Sequence, residues 1–142
     1  MSDQRNCDRA IFRAACVQMR SGIDRRRNTD DALRLIGEAA DKGAHFIATP
    51  EMTNAVDKNP VRLAASLPAG EVIEEIAAFS AAAAENGVWL LIGSMAVNPG
   101  DGRLANRSYF FSPDGEIAAR YDKIHMFDVN LDNGESWRES RV

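Results

Sequence analysis

The chain has 142 residues, 45% of them hydrophobic and 27% charged, with a formal net charge of -4 at pH 7. That is the size of a single domain with room for a core, and the composition of an ordinary soluble globular protein. The negative charge argues against nucleic acid or an anionic membrane as the main partner, and no apolar run reaches the ~20 residues that span a bilayer.

The start, Met1 to Asp8, is polar and lacks the apolar stretch of a signal peptide. Two cysteines, Cys7 and Cys16, make no disulfide framework, so a reducing cytoplasm is the expected setting. Ile11 to Met19 is apolar and small apart from Arg13, which suits a first strand buried on both faces of a parallel sheet. Ser21 to Asn28 reads as a polar loop. Its basic run, Arg25-Arg26-Arg27, is read as solvated, leading into a helix.

That helix is expected over Thr29 to Lys42, with Ala32, Leu35, Ile36, Ala39 and Ala40 on one face. Asn28 or Thr29 suits the N-cap, Asp30 and Asp31 the positive dipole end, and Gly43 the position after the last turn. His45 to Thr49 is the second strand, which makes a β-α-β unit. Asn54 to Ala69, with Pro60 and Pro68, reads as a long loop with a helical turn around Val61 to Ala65.

A second helix is expected over Glu71 to Asn86, with Val72, Ile73, Ile76, Ala77, Ser80, Ala83 and Ala84 facing inward and Gly87 ending it. Val88 to Ala96 is the third strand. Asn106 to Ser112 and Glu116 to Tyr121 flank Pro113-Asp114-Gly115, where proline presets φ and glycine supplies a positive one, so an antiparallel hairpin follows. Beyond Lys123 the chain reads as irregular and polar. The fold class is α/β, a β-α-β-α-β run followed by a hairpin.

Two residues stand out chemically. Glu51 follows an apolar strand and Pro50, at the carboxyl end of the sheet, where open α/β sheets place their ligands. Lys123 follows the hairpin's second strand among Ile124, Met126 and Phe127, and a lysine sheltered there needs a carboxylate such as Glu51. The ordinary alternatives are a solvated glutamate and a lysine whose stem lies along the surface. His45, His125, Cys7 and Cys16 lack the short paired spacings of a zinc site, so neither metal nor cofactor is expected. His45, Phe46, Trp89 and Cys16 read as core residues.

Ala15-Cys16-Val17-Gln18-Met19, Lys42-Gly43-Ala44, Thr49-Pro50-Glu51-Met52, Leu91-Ile92-Gly93-Ser94, Asn106-Arg107-Ser108, Ser112-Pro113-Asp114-Gly115 and Tyr121-Asp122-Lys123-Ile124-His125-Met126-Phe127-Asp128 follow one another in order. Together they resemble the amino-terminal half of the nitrilase, or carbon–nitrogen hydrolase, superfamily, in its omega-amidase-like branch. The resemblance implies half of an αββα sandwich, with one sheet face uncovered. It implies a single, truncated domain over residues 1–142 with a polar leader over 1–10.

The resemblance also implies a Glu-Lys-Cys triad. Glu51 would be the general base, Lys123 the cation that stabilises the oxyanion, and Glu139 the second glutamate, which would help position the substrate or tune the pair. The substrate would be a small carboxylated amide, cleaved to acid and ammonia, by a protein that forms a homo-oligomer at full length. The family's cysteine comes after the second glutamate and is not reached by Val142, so these 142 residues alone are expected to be inactive. A non-catalytic assembly subunit and an inactive gene fragment are the competing readings.

Overall fold

In a computed structural model, the structure describes residues 12–100, 103–125, 128–130, 132, 134 and 136–138. The polar leader, Ile11, Met126, Phe127 and Glu139 lie outside the described residues. Strands β1 (Ala14–Cys16), β2 (Phe46–Ala48) and β3 (Trp89–Val97) run parallel, and β4 (Ala105–Phe111) and β5 (Ile117–Asp122) continue antiparallel in one sheet of order β1-β2-β3-β4-β5. Helix α1 (Arg25–Asp41) connects β1 to β2. Helices α2 (Pro60–Ser66) and α3 (Ile73–Asn86) connect β2 to β3. The α/β class and the hairpin around Pro113-Asp114-Gly115 are as expected.

The alternation of each strand assigns the faces. Ile47, Leu90, Ile92, Tyr109 and Phe111 are fully buried, in one core with Ala32 and Ile36 of α1 and Phe79 and Ala83 of α3. Emptying such a site, as in Phe79→Ala, typically costs on the order of 3–5 kcal/mol. The other face carries an aromatic ladder, with Phe46 6.2 Å from Phe110 and Phe110 stacked on Trp89 at 5.1 Å. Trp89 is therefore 39% exposed rather than a core residue, because its strand turns it away from the helices. Cys16, also read as core, is exposed because β1 is a three-residue edge strand, not one buried on both faces, and His45, read as core too, is exposed just before β2, its Nδ1 accepting from the Arg13 N–H at 3.1 Å.

Both long helices depart from expectation at their starts. Asp24, not Asn28 or Thr29, caps α1, its carboxylate accepting from the Arg27 N–H at 3.1 Å. The helix thus begins within the basic run. Arg25 is not solvated: it donates to Glu75 at 2.7 Å and to the Ser66 carbonyl at 3.0 Å. Asn28, freed from capping, is buried and bridges Gly22 and the Asn54 carbonyl. Asp30 and Asp31 consequently lie beyond the first turn.

On α3 the buried residues are Glu75, Phe79, Ala82 and Ala83, while Ile73 is 72% exposed. An alanine-rich helix offers several faces of similar hydrophobicity. The largest apolar side chain, Phe79, selects the one that packs, together with the Arg25–Glu75 pair. Gly87 ends the helix in the left-handed region, φ 61°, as expected. Past Lys123, where irregular chain was expected, β6 (Asp128–Asn130) pairs with β7 (Ser136–Arg138). Among the described residues no helix is long and apolar enough to cross a membrane.

Candidate active site

The site is built where β2 ends beside an irregularity in β3. The ladder continues one residue past β2, with the Thr49 N–H on the Leu91 carbonyl at 2.9 Å, and stops at Pro50, which has no N–H to give. Opposite, the β3–β4 register slips by one residue between Ile92 and Met95, a bulge at Gly93 and Ser94. Bulges of this kind redirect backbone groups near functional sites.

Here those groups are turned onto the loop that carries Glu51. Ser94 Oγ accepts from the Met52 N–H at 2.9 Å, and the Ser94 carbonyl accepts from the Thr53 N–H at 2.8 Å. The Gly93 N–H donates to Thr49 Oγ1 at 3.2 Å. Met52 sits at φ 55°, the left-handed region, which costs a non-glycine residue about 1–2 kcal/mol. The loop is fixed further by Asn54, fully buried, whose amide pairs with both backbone groups of Ala96, at 2.8 Å and 3.0 Å. Glu51 is thus an exposed side chain on an immobilised backbone.

Lys123 reaches the same point from the hairpin. Its N–H donates to the Asn106 carbonyl at 2.9 Å, one rung beyond the last β4–β5 pair, Arg107 with Asp122. Its Nζ lies 2.7 Å from Glu51 Oε1, with the side chains 29% and 59% exposed. Asn106, buried, donates Nδ2 to the same Oε1 at 2.9 Å. The structure thus brings Glu51 and Lys123 together. Glu139 lies outside the described residues.

A second network braces this end of the hairpin. Arg107 holds Asp122 through two bonds, at 2.5 Å and 2.8 Å, and reaches Glu71 at 2.6 Å, while Tyr109 donates to the other Glu71 oxygen. Hydrogen bonds from Arg107 hold the Asp122 carboxyl below its usual range, and Asp122 in turn raises the Arg107 guanidinium. Burial first, and the Glu71 carboxylate second, push the Tyr109 phenol up to about 12. Among the described residues no group of three or more His, Cys, Asp or Glu side chains could hold a metal ion.

Asn106 and the Arg107–Glu71–Tyr109 group were not singled out as site residues from sequence. Counting out from the turn, where Phe111 pairs with Ile117, places position 106 opposite 122; the irregularity between Phe110 and Phe111 moves it opposite 123, and no local signal in the sequence gives that shift.

A sequence profile of the carbon–nitrogen hydrolases matches residues 13–142, and the chain belongs to that family. It is similar to omega-amidase NIT2 of Xenopus tropicalis, 35% identical over 135 residues that cover 94% of this chain and 47% of the relative. Nitrilase homolog 2 of Dictyostelium discoideum is 29% identical over 134 residues, covering 93% of this chain and 40% of that protein.

Among solved structures, the NitFhit protein of C. elegans aligns with a TM-score of 0.74 at 25% identity, over 89% of this chain and 31% of its own. An amidase from Nesterenkonia sp. aligns at 0.72 and 22%, over 82% and 44%, a likeness of fold. The chain has the nitrilase-type fold over the amino-terminal part of these proteins and spans less than half of their length.

Proposed function

We propose that this chain carries the base and the cation of an amidase that hydrolyses a small carboxylated amide to the acid and ammonia. The observation that carries the reading is the 2.7 Å approach of Lys123 Nζ to Glu51 Oε1 at the carboxyl end of β2. Glu51 takes the proton of a cysteine thiol, and the thiolate forms a bond to the amide carbon. The oxygen becomes an oxyanion, stabilised by the Lys123 ammonium. The C–N bond breaks as Glu51 returns the proton to nitrogen, and ammonia leaves. Glu51 then deprotonates a water that attacks the thioester, releasing the acid and the thiol.

Glu139 is assigned to positioning the substrate. The thiol is assigned to a cysteine outside these 142 residues, since Cys16 lies exposed on β1 and Cys7 belongs to the polar leader. The amidase from Nesterenkonia sp. AN1 supports a thiol nucleophile, since in one of its variants acrylamide has added to the active-site cysteine. A cytoplasmic homo-oligomer is the proposed setting.

The test is ammonia release from small carboxylated amides. Protein isolated from its own cells is expected to show it, with an intact mass above the 15.6 kDa of these residues, and the 142-residue chain alone is expected not to. Turnover by the 142-residue chain that survives alkylation of its thiols would overturn the assignment of the nucleophile. Co-purification with a longer homologue and no turnover of its own would favour a non-catalytic subunit.

A further inference from the structure

Glu51 has two carboxylate oxygens, and the fold treats them differently. Oε1 receives Lys123 Nζ at 2.7 Å and Asn106 Nδ2 at 2.9 Å. Among the described residues Oε2 has no hydrogen-bond partner, although the side chain is 59% exposed. Asn106 is also the residue whose carbonyl accepts from the Lys123 N–H. One side chain on β4 therefore holds the carboxylate, and the same residue's backbone holds the start of the lysine that faces it.

Asn106 is itself fixed. It is only 8% exposed, and the next rung, Arg107 with Asp122, is locked by the two-point arginine–carboxylate contact. An amide suits this place. It donates to a carboxylate without adding charge beside Lys123 and has no proton to lose in the working range.

Resting on the amidase reading above, we propose that Asn106 is a positioning residue for the base. With Lys123 it pins Oε1 and thereby leaves Oε2 as the oxygen that takes the thiol proton and returns it to the leaving nitrogen. A carboxylate that could spin would present either oxygen, and the proton would be exchanged at the oxygen bound to Lys123 for part of the time. Pinning Oε1 separates the two tasks, ion pairing on one oxygen and proton transfer on the other.

Two measurements test this, and only the second depends on the reaction. The first is the Asn106 side-chain amide resonance in wild type and in Glu51→Ala. In wild type, one Nδ2 proton is expected downfield and protected from solvent exchange. In Glu51→Ala the proton that was bonded to Oε1 is expected to move upfield and to exchange faster with solvent. Glu51 is exposed, so that variant is expected to fold. Identical Asn106 resonances in the two proteins would overturn the proposal.

The second is steady-state amide hydrolysis by Asn106→Leu, made in protein of the length found in its own cells. Loss of a hydrogen bond to a charged group predicts a fall in kcat of about ten- to a hundredfold, with KM little changed. Asn106→Gln, which keeps the donor, is expected to recover part of the loss. A raised KM with kcat intact would contradict the assignment. If wild type hydrolyses no amide, the amidase reading fails, and the Asn106 resonances alone decide whether the residue orients Glu51.

Discussion

Gly93 passes so close to Thr49 that a Cβ built on it would lie 2.4 Å from the Thr49 carbonyl oxygen and 2.7 Å from the Pro50 carbonyl. Both obstacles are backbone, so neither can swing aside. Gly93→Ala is expected to push the Thr49-Pro50-Glu51 turn away from β3 and to cost about 1–3 kcal/mol, the usual range for forced overpacking. Chemical denaturation measures the loss. Weakening of the Lys123–Glu51 contact, seen as a shifted Lys123 ammonium resonance, should accompany it.

Asn54 offers a second test of how firmly the turn is held. Asn54→Leu conserves volume but strips partners from the N–H and the carbonyl of Ala96, both bonded to this buried amide. Two orphaned backbone groups predict a loss of about 2–4 kcal/mol. The urea midpoint should fall while the slope of the transition stays unchanged. A loss below about 1 kcal/mol would mean that Ala96 finds other partners.

The brace around Arg107 predicts pH dependence at both extremes. The unfolded Tyr109 phenol ionises near its ordinary value of about 10, and the folded one at about 12. Between these values the folded state holds more protons, so the stability tied to Tyr109 is whole below pH 10 and falls as pH rises towards 12. Tyr109→Phe should remove that limb, and phenolate absorbance should lose its late-titrating component.

Asp122 has the opposite sign. Its carboxyl is held low by Arg107, so its contribution is present above the ordinary carboxylate range and is lost as pH falls through the lowered value. Asp122→Asn should flatten the acid limb. An acid limb unchanged in that variant would place the acid sensitivity elsewhere.

Much of this architecture was legible because its signals are local. The periods of Ile47, Leu90 and Ile92, the Pro113-Asp114-Gly115 turn and Gly87 at a helix end each dictate structure within a few residues. Glu51 was legible for the same reason, as a carboxylate following an apolar strand and a proline.

What sequence hid was set by tertiary packing. Periodicity did not show which face of an alanine-rich α3 would be buried, since Phe79 and the distant Arg25 decide that. Trp89 was read as core because apolarity alone does not reveal which face of a sheet the helices cover. Asp24 took the cap of α1 from Asn28, whose buried bond to Asn54 joins positions 26 residues apart. Asn106 was missed as a partner of Glu51 because their contact spans 55 residues.

Under the proposed function, Glu51 and Lys123 form a working pair rather than a surface ion pair. Exposed pairs add at most about 1 kcal/mol to stability, whereas a general base is worth about a hundredfold or more in rate. Ammonia release and unfolding should therefore be measured together for Glu51→Gln, in protein isolated at the length its own cells make. Turnover is expected to fall about a hundredfold or more, with stability within about 1 kcal/mol of wild type. Full ammonia release from Glu51→Gln would contradict the proposed function.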